Sequence, residues 1–80
     1  MPRFHLHIHN HTGDTLDQEG SEYRDLGMAR DKAIAGIRSF LSAELLEGTV
    51  DLRGYLDIAD DDGTVLERID FHEAVKIHDI

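Results

Sequence analysis

The chain has 80 residues, of which 8 are basic and 17 acidic, and it carries a net charge of −9 when its histidines are neutral. This length supports a single domain over residues 1–80, and the acidity argues against direct binding of DNA or RNA, whose phosphates require clustered cations. Cysteine is absent, and no segment has the apolar length of a signal sequence or a membrane span, so we expect a cytoplasmic protein without disulfides or membrane contact.

The first predicted element is a β-strand over residues 4–11, where apolar and polar side chains alternate strictly. Successive side chains of a strand point to opposite faces, so the apolar residues share one face and the histidines share the other. The apolar face holds Phe4, Leu6 and Ile8. The histidine face holds His5, His7 and His9. We expect the apolar face to pack beneath the one long helix.

The histidine face admits two chemical interpretations beside a plain solvent-exposed strand face. Imidazoles two residues apart on a strand lie roughly 6.5 to 7 Å apart, close enough for His5, His7 and His9 to bind zinc, nickel or copper. Alternatively, the row is pH-sensitive, because imidazoles titrate near pH 6.5 and neighbouring positive charges repel one another. Such repulsion would loosen a self-associated sheet on acidification.

Two turns and two short extended segments follow the first strand. Turn-forming residues at 10–14 reverse the chain, and a short strand is predicted around Thr15 and Leu16. A second turn at residues 17–20 leads to an extended segment over Ser21–Arg24.

A helix is predicted from Leu26 to about Glu47, with Asp25 as its N-cap and Gly48 as its C-terminal stop. Its apolar residues recur every three or four positions, which is typical of a helix with one buried face. That face comprises Leu26, Ala29, Ala33, Ile37, Phe40, Leu41 and Leu45. The opposite face carries Asp31, Lys32, Arg38, Ser39 and Ser42.

A β-hairpin is predicted from two strands, Leu52–Ala59 and Thr64–Phe71, joined by three aspartates and Gly63. Its register has two solutions. A two-residue turn places Asp57 opposite Arg68, whereas a three-residue loop with Gly63 at a bulge pairs Ile58 with Leu66. We favour the second, because it puts two aliphatic residues on one face and a glycine where φ is positive.

The C-terminal segment completes the predicted fold. Phe71, Ala74 and Val75 suggest a helical turn that packs on the core, after which Val75 and Ile77 alternate like a short strand ending near Ile80. The element order predicts a two-layer α+β fold, in which a small antiparallel sheet of three to five short strands carries one long helix on one face.

Several short motifs, taken in order, resemble a family of small uncharacterised proteobacterial proteins of about this length. The motifs are a Met-Pro-Arg start, a His-x-His strand, an Asp-x-Glu-Gly turn, a Leu-x-x-Ala-Arg helix start, an acidic glycine hairpin and Phe-x-x-Ala. They correspond to Met1 to Arg3, His7 and His9, Asp17 to Gly20, Leu26 to Arg30, Asp60 to Gly63, and Phe71 to Ala74. His5 and His11 depart from the pattern, which has an aromatic and a small turn residue there. The resemblance implies a domain of unknown function without established catalytic residues, cofactor or partner.

The layout also resembles the antitoxin half of bacterial toxin–antitoxin pairs, where a strand hairpin precedes an Asp-Leu step and an Ala-rich helix. This likeness suggests a small binding or regulatory module.

The sequence favours a binding module over an enzyme. It lacks a nucleophile elbow, a phosphate loop and a His-Glu-x-x-His motif, and so small a domain has little room for a water-excluding pocket. A sheet with one helix leaves a face uncovered, which favours a homo-oligomer or a protein partner. The contact residues we expect are Tyr23 and Tyr55, while Leu46, Ile77 and Ile80 are further apolar residues predicted at the surface.

Overall fold

One long helix packs on a five-stranded antiparallel sheet in the computed structural model, which describes residues 1–78. The strands are β1 (Arg3–Asn10), β2 (Gly13–Thr15), β3 (Ser21–Glu22), β4 (Tyr55–Ala59) and β5 (Val65–Asp70). The helix α1 spans Leu26–Leu46, and a 3-10 helix spans Phe71–Glu73. The predicted two-layer α+β fold is therefore confirmed.

β1 lies at the centre of the sheet. Its alternation places apolar side chains on one face of the sheet and histidines on the other. One edge of β1 pairs with β4, and the other edge pairs with β3 near Phe4 and with β2 near Ile8. Among residues 1–78, β5 pairs with β4 and with no other strand, so it forms the far edge. The predicted strand around Thr15 and Leu16 ends at Thr15, and Leu16 is exposed.

The core lies between α1 and one face of the sheet. Phe4 is buried and Leu6 and Ile8 pack partly against the core, as the alternation predicts. The buried apolar cluster contains Phe4, Ala29, Ala33, Ile37, Leu41, Leu56, Ile58, Ile69, Phe71 and Ala74. Within residues 1–78, no helix combines the length and apolar character needed to cross a bilayer.

The helix begins as predicted but buries less of its C-terminal end. Leu45, predicted on the buried face, is 64 % exposed. The buried positions run from Ala29 to Leu41 and span about 18 Å along the axis, which is close to the length of the five-residue β4. The last turn of α1 therefore extends past β4, and its leucines face outward.

Asp25 caps the helix as predicted, because its Oδ1 accepts a hydrogen bond from the backbone N–H of Met28 at 2.9 Å. We expect Asp25→Ala to lower the free energy of unfolding by about 1 kcal/mol in urea denaturation followed by circular dichroism. Asp31→Ala is the matched control, since Asp31 is exposed inside the helix, where alanine is the better helix former. Equal losses in the two variants would contradict the cap.

The hairpin combines features of both predicted registers. Next to the loop, Ala59 pairs with Val65, and Gly63 has a φ of +84°, as expected for a three-residue loop. Farther along, however, Ile58 pairs with Glu67 and Asp57 with Arg68. The predicted pair of Ile58 with Leu66 is therefore wrong, because Leu66 is an extra residue in β5 that shifts the register by one.

The C-terminal segment forms the predicted helical turn but no strand. The backbone N–H of Asp70 donates to Glu73 at 2.7 Å, and Arg38 Nε donates to the carbonyl oxygen of Ala74 at 2.7 Å. The first bond closes the turn, and the second connects its end to α1. Val75 and Ile77 were predicted to continue as a strand, which is wrong over residues 74–78, and Ile80 lies outside the described residues.

Candidate functional site

The sheet face opposite α1 carries the polar side chains that the alternation of β1 predicts. Cross-strand pairing places His7 beside Asp57, His9 beside Tyr55, and Asp57 beside Arg68. We call this surface the open face. It consists of His5, His7, His9, Tyr55, Asp57 and Arg68.

His5 links two loops that are far apart in the sequence. Its Nδ1 lies 2.8 Å from the carbonyl oxygen of Asp17, and its Nε2 lies 2.8 Å from Oδ1 of Asp61. A carbonyl and a carboxylate only accept hydrogen bonds, so both ring nitrogens donate and the geometry requires the imidazolium form. The hydrogen bond to Asp61, followed by the one to Asp17, raises the pKa of His5 above its usual value.

His7 takes the opposite role beside it. The backbone N–H of Asp17 donates to Nδ1 of His7 at 3.0 Å, which places the ring proton of a neutral imidazole on Nε2. The two rings stack with centroids 6.0 Å apart and an interplanar angle of 22°. The ring of His5 lies against two acceptors, whereas the ring of His7 accepts at Nδ1, so the two stacked rings have complementary hydrogen-bonding roles.

Asp17 organises this part of the sheet edge, a role that the sequence pattern assigned only to a turn. Its carboxylate accepts hydrogen bonds from the backbone N–H groups of Leu6 at 3.2 Å and Gly20 at 3.1 Å. These bonds satisfy β1 where it has no neighbouring strand between β2 and β3. The Asp-x-x-Gly spacing is the local signal that pointed to this turn.

We expect the imidazolium of His5 to be visible in a pH titration by NMR. Its pKa is raised in the fold, so the stability that His5 contributes is present in full below pH 6.5 and is lost as the pH rises through the folded-state pKa. Asp61→Asn should lower the pKa of His5, since the largest cause of the shift is removed. Asp62→Asn is the matched control for the neighbouring loop carboxylate. An unchanged pKa in Asp61→Asn would contradict the link.

The other end of the open face is a stack of aromatic and cationic groups. The rings of His9 and Tyr55 stack at 4.9 Å, and the guanidinium carbon of Arg68 lies 3.9 Å from the centroid of the Tyr55 ring. Arg68 donates two hydrogen bonds to Asp57, at 2.8 and 3.1 Å. Asp57 is only 5 % exposed, and the hydrogen bond to its carboxylate raises the pKa of Arg68 above its usual value. His9 Nδ1 lies 2.7 Å from Asp14.

The metal hypothesis for His5, His7 and His9 gains no support from this geometry. Both nitrogens of His5 are engaged, Nδ1 of His7 accepts a backbone hydrogen bond, and Nδ1 of His9 faces Asp14. Among residues 1–78, no group of three or more His, Asp or Glu side chains is placed to hold a metal ion. Each of these three imidazoles contacts a neighbouring loop or strand.

The remaining predicted residues lie apart from one another. Tyr23 packs its ring at 6.1 Å from Phe4 and is part of the core periphery, whereas Tyr55 lies within the open-face stack. Their roles as contact residues stay predictions.

His11 lies outside the row, 3.1 Å from a carboxylate oxygen of Asp51, whose pKa is lowered mainly by Arg53.

An apolar surface forms where α1 ends, and the sequence analysis had singled out only part of it. Leu45, Leu46, Val50 and Ile77 are 64, 87, 40 and 70 % exposed, respectively. A groove of about 280 Å³ lies here between α1, the segment after it and the C-terminal segment. Leu45, Val50 and Ile77 line it, together with Arg38, Leu41, Ser42, Leu52 and Val75, and Leu46 is the last residue of α1. We call the four exposed residues and the groove the helix-end patch.

The model of a protein family described as a domain of unknown function (DUF6894) matches residues 3–72. The chain belongs to this family. The predicted resemblance to a small domain of unknown function is thereby confirmed. The DUF6894 match includes all five strands and α1, whereas Val75 and Ile77 of the helix-end patch lie beyond the matched residues. No curated protein and no solved structure matches the chain significantly.

Proposed function

We propose that this DUF6894 protein is a non-enzymatic protein-binding module that acts through its helix-end patch. The observation that carries the proposal is the exposure of Leu45, Val50 and Ile77, which line one apolar groove, together with the exposed Leu46 that follows Leu45 at the end of α1. Single exposed apolar side chains are common on proteins, but a contiguous set beside a groove is typical of an interaction surface.

The open face is less suited to binding, because its polar groups already satisfy one another. Asp57 is covered by Arg68, His5 is held between two acceptors, and Tyr55 lies between His9 and Arg68. A partner or substrate would have to break these contacts. This internal pairing also supports the absence of catalysis on the open face, since a catalytic base needs a nitrogen or oxygen free to reach its substrate.

Site-specific photo-crosslinking in the native host tests the proposal. A photoreactive phenylalanine at Thr49, which is exposed between Leu46 and Val50, should crosslink to one protein species identified by mass spectrometry. The same group at Asp31, about 22 Å away along the helix from residue 46, should not. Leu45→Glu should abolish the crosslink at Thr49.

Leu16→Glu serves as the matched control, because Leu16 is 53 % exposed and is not part of the patch. The crosslink should persist in this variant. The absence of any protein crosslink at Thr49, or its persistence in Leu45→Glu, would refute the proposed function.

A further inference from the structure

We propose that His5 is a proton-controlled link between two loops: the protonated ring joins them, and the neutral ring keeps one loop and releases the other. The loops are the Asp17 turn, which comprises residues 17–20, and the hairpin loop, which comprises residues 60–63. The proposal concerns these loops and does not depend on the helix-end patch.

Both loops contact the His5 ring, on opposite sides of it. Nδ1 faces the carbonyl oxygen of Asp17, and Nε2 faces Oδ1 of Asp61, each at 2.8 Å. Within residues 1–78, no direct hydrogen bond or ion pair joins the Asp17 turn to the hairpin loop. Two acceptors require two N–H donors, which only the imidazolium form has. One proton therefore decides whether the ring can hold both loops.

The Asp17 side of the link is the more rigid side. The carboxylate of Asp17 accepts hydrogen bonds from the backbone N–H groups of Leu6 and Gly20, which fix the turn against β1. The turn also fits closely around the ring, since a Cβ on Gly20 would lie 2.8 Å from both Cε1 of His5 and the carbonyl oxygen of Phe4. The side chain of His5 is only 15 % exposed, so a carbonyl that lost its donor here would be poorly hydrated. We therefore expect the neutral ring to keep its proton on Nδ1.

The Asp61 side is the side that is released. The side chain of Asp61 is 65 % exposed, so water can solvate its carboxylate when the ring no longer donates. The hairpin loop keeps its shape without the link, because Oδ1 of Asp60 accepts from the backbone N–H groups of Asp62 and Thr64. On the neutral ring the lone pair of Nε2 faces a carboxylate oxygen, and two acceptors repel each other. Loss of the proton thus frees the hairpin loop and leaves the Asp17 turn in place.

The other charged groups around the ring have partners of their own. On β1, Arg3 donates to a backbone carbonyl of the Asp17 turn at 3.0 Å, and His7 accepts from a backbone N–H of the same turn. On β4, Asp57 is paired with Arg68. The charged and titratable groups near His5 are Arg3 and His7 on β1, Asp17 and Glu19 in the turn, Asp57 on β4, and Asp61 in the hairpin loop. Among them, the carboxylate of Asp61 is the one that contacts a ring nitrogen of His5.

The direction of the pH dependence follows from the same contacts. The hydrogen bond to Asp61, followed by the one to Asp17, raises the pKa of His5 above its usual value of 6.5. The link is therefore complete at acidic pH and is lost as the pH rises through the folded-state pKa of His5.

Paramagnetic relaxation enhancement in the full chain tests the link, with EDTA present to exclude metal binding by the histidines. The chain has no cysteine, so a nitroxide attached to Asp62→Cys labels the hairpin loop alone. We expect the broadening of the Gly20 amide signal in the Asp17 turn to be lost as the pH rises, with the same midpoint as the His5 ring in an NMR titration. The nitrogen shifts of the neutral ring should place its proton on Nδ1.

Three further variants of the labelled chain identify the group that titrates. His5→Gln cannot titrate, so the broadening should no longer depend on pH, whereas His9→Gln is the matched control on the same strand face and should keep the dependence. Asp61→Asn should retain the broadening at high pH, because its amide can accept from the imidazolium and can also donate to Nε2 of the neutral ring. Circular dichroism should show that all variants remain folded.

A broadening that stays constant through the titration of His5, or whose loss follows the midpoint of His7, would overturn the inference. The same conclusion would follow from a pH dependence that persists in His5→Gln, or from a neutral ring that carries its proton on Nε2. Loss of the broadening at high pH in Asp61→Asn, as in the parent chain, would show that the contact between Nε2 and the carboxylate does not control the link.

Discussion

Replacing Phe71 by alanine is expected to lower the free energy of unfolding by about 3–5 kcal/mol, the range for losing a buried phenylalanine. Phe71 is fully buried, and its ring lies 5.6 Å from that of Phe40 on α1. Its backbone N–H donates to the carbonyl oxygen of Gly54 at 2.9 Å. An 80-residue domain has a free energy of unfolding of about 4–12 kcal/mol. The loss of this one ring would therefore remove a large fraction of that free energy.

Urea denaturation followed by circular dichroism measures the effect. Phe71→Leu keeps most of the apolar volume and should lose less, while Met28→Ala removes a side chain that is 43 % exposed and should lose less than 1 kcal/mol. A loss below about 1 kcal/mol in Phe71→Ala would contradict the central place of this ring in the core.

The fold could be predicted because its main elements carry periodic patterns. The alternation from Phe4 to Ile8 identified β1, and the three-and-four spacing with Asp25 and Gly48 identified α1. The errors arose where tertiary geometry decides. Leu45 fits the helical pattern, but α1 extends past β4, and no sequence spacing reveals where the sheet beneath a helix ends.

The hairpin shows a related limit. Turn chemistry correctly placed Gly63 at a positive φ, and each of the two registers was correct for one part of the hairpin. The register changes from one to the other at the extra residue Leu66. A bulge moves the side chains beyond it to the other face, and its position depends on which pairs pack best across the sheet.

The histidine row was recognised, but its role could not be. Its contacts reach Asp17 and Asp61, which are 12 and 56 residues from His5 in the sequence. Local spacing allows a metal site, a charged row or an exposed face equally well, and it does not reveal these distant acceptors. The helix-end patch was likewise seen only through Leu46 and Ile77, because the groove is formed by segments that meet in the fold.

Gly54→Ala is expected to destabilise the protein by about 3 kcal/mol, at the upper end of the range for overpacking. A Cβ at Gly54 would lie 2.5 Å from Cε2 of Phe71 and 2.8 Å from the carbonyl oxygen of His9. The φ of Gly54 is not positive, so this glycine is required by close approach alone. Because one of the two clashing atoms belongs to the backbone of β1, a change of rotamer cannot relieve the clash.

Gly36→Ala is the matched control, because a Cβ there meets nothing within 4 Å and the residue lies inside α1. It should stabilise the protein by about 0.5–1 kcal/mol, the difference in helix propensity between glycine and alanine. Combining Gly54→Ala with Phe71→Leu separates the two clashes. The double variant should lose less than the sum of the single losses, since the smaller side chain relieves contact with the ring, whereas the clash with the His9 carbonyl remains. Strict additivity would show that the backbone of β1, and not the Phe71 ring, sets the requirement for glycine.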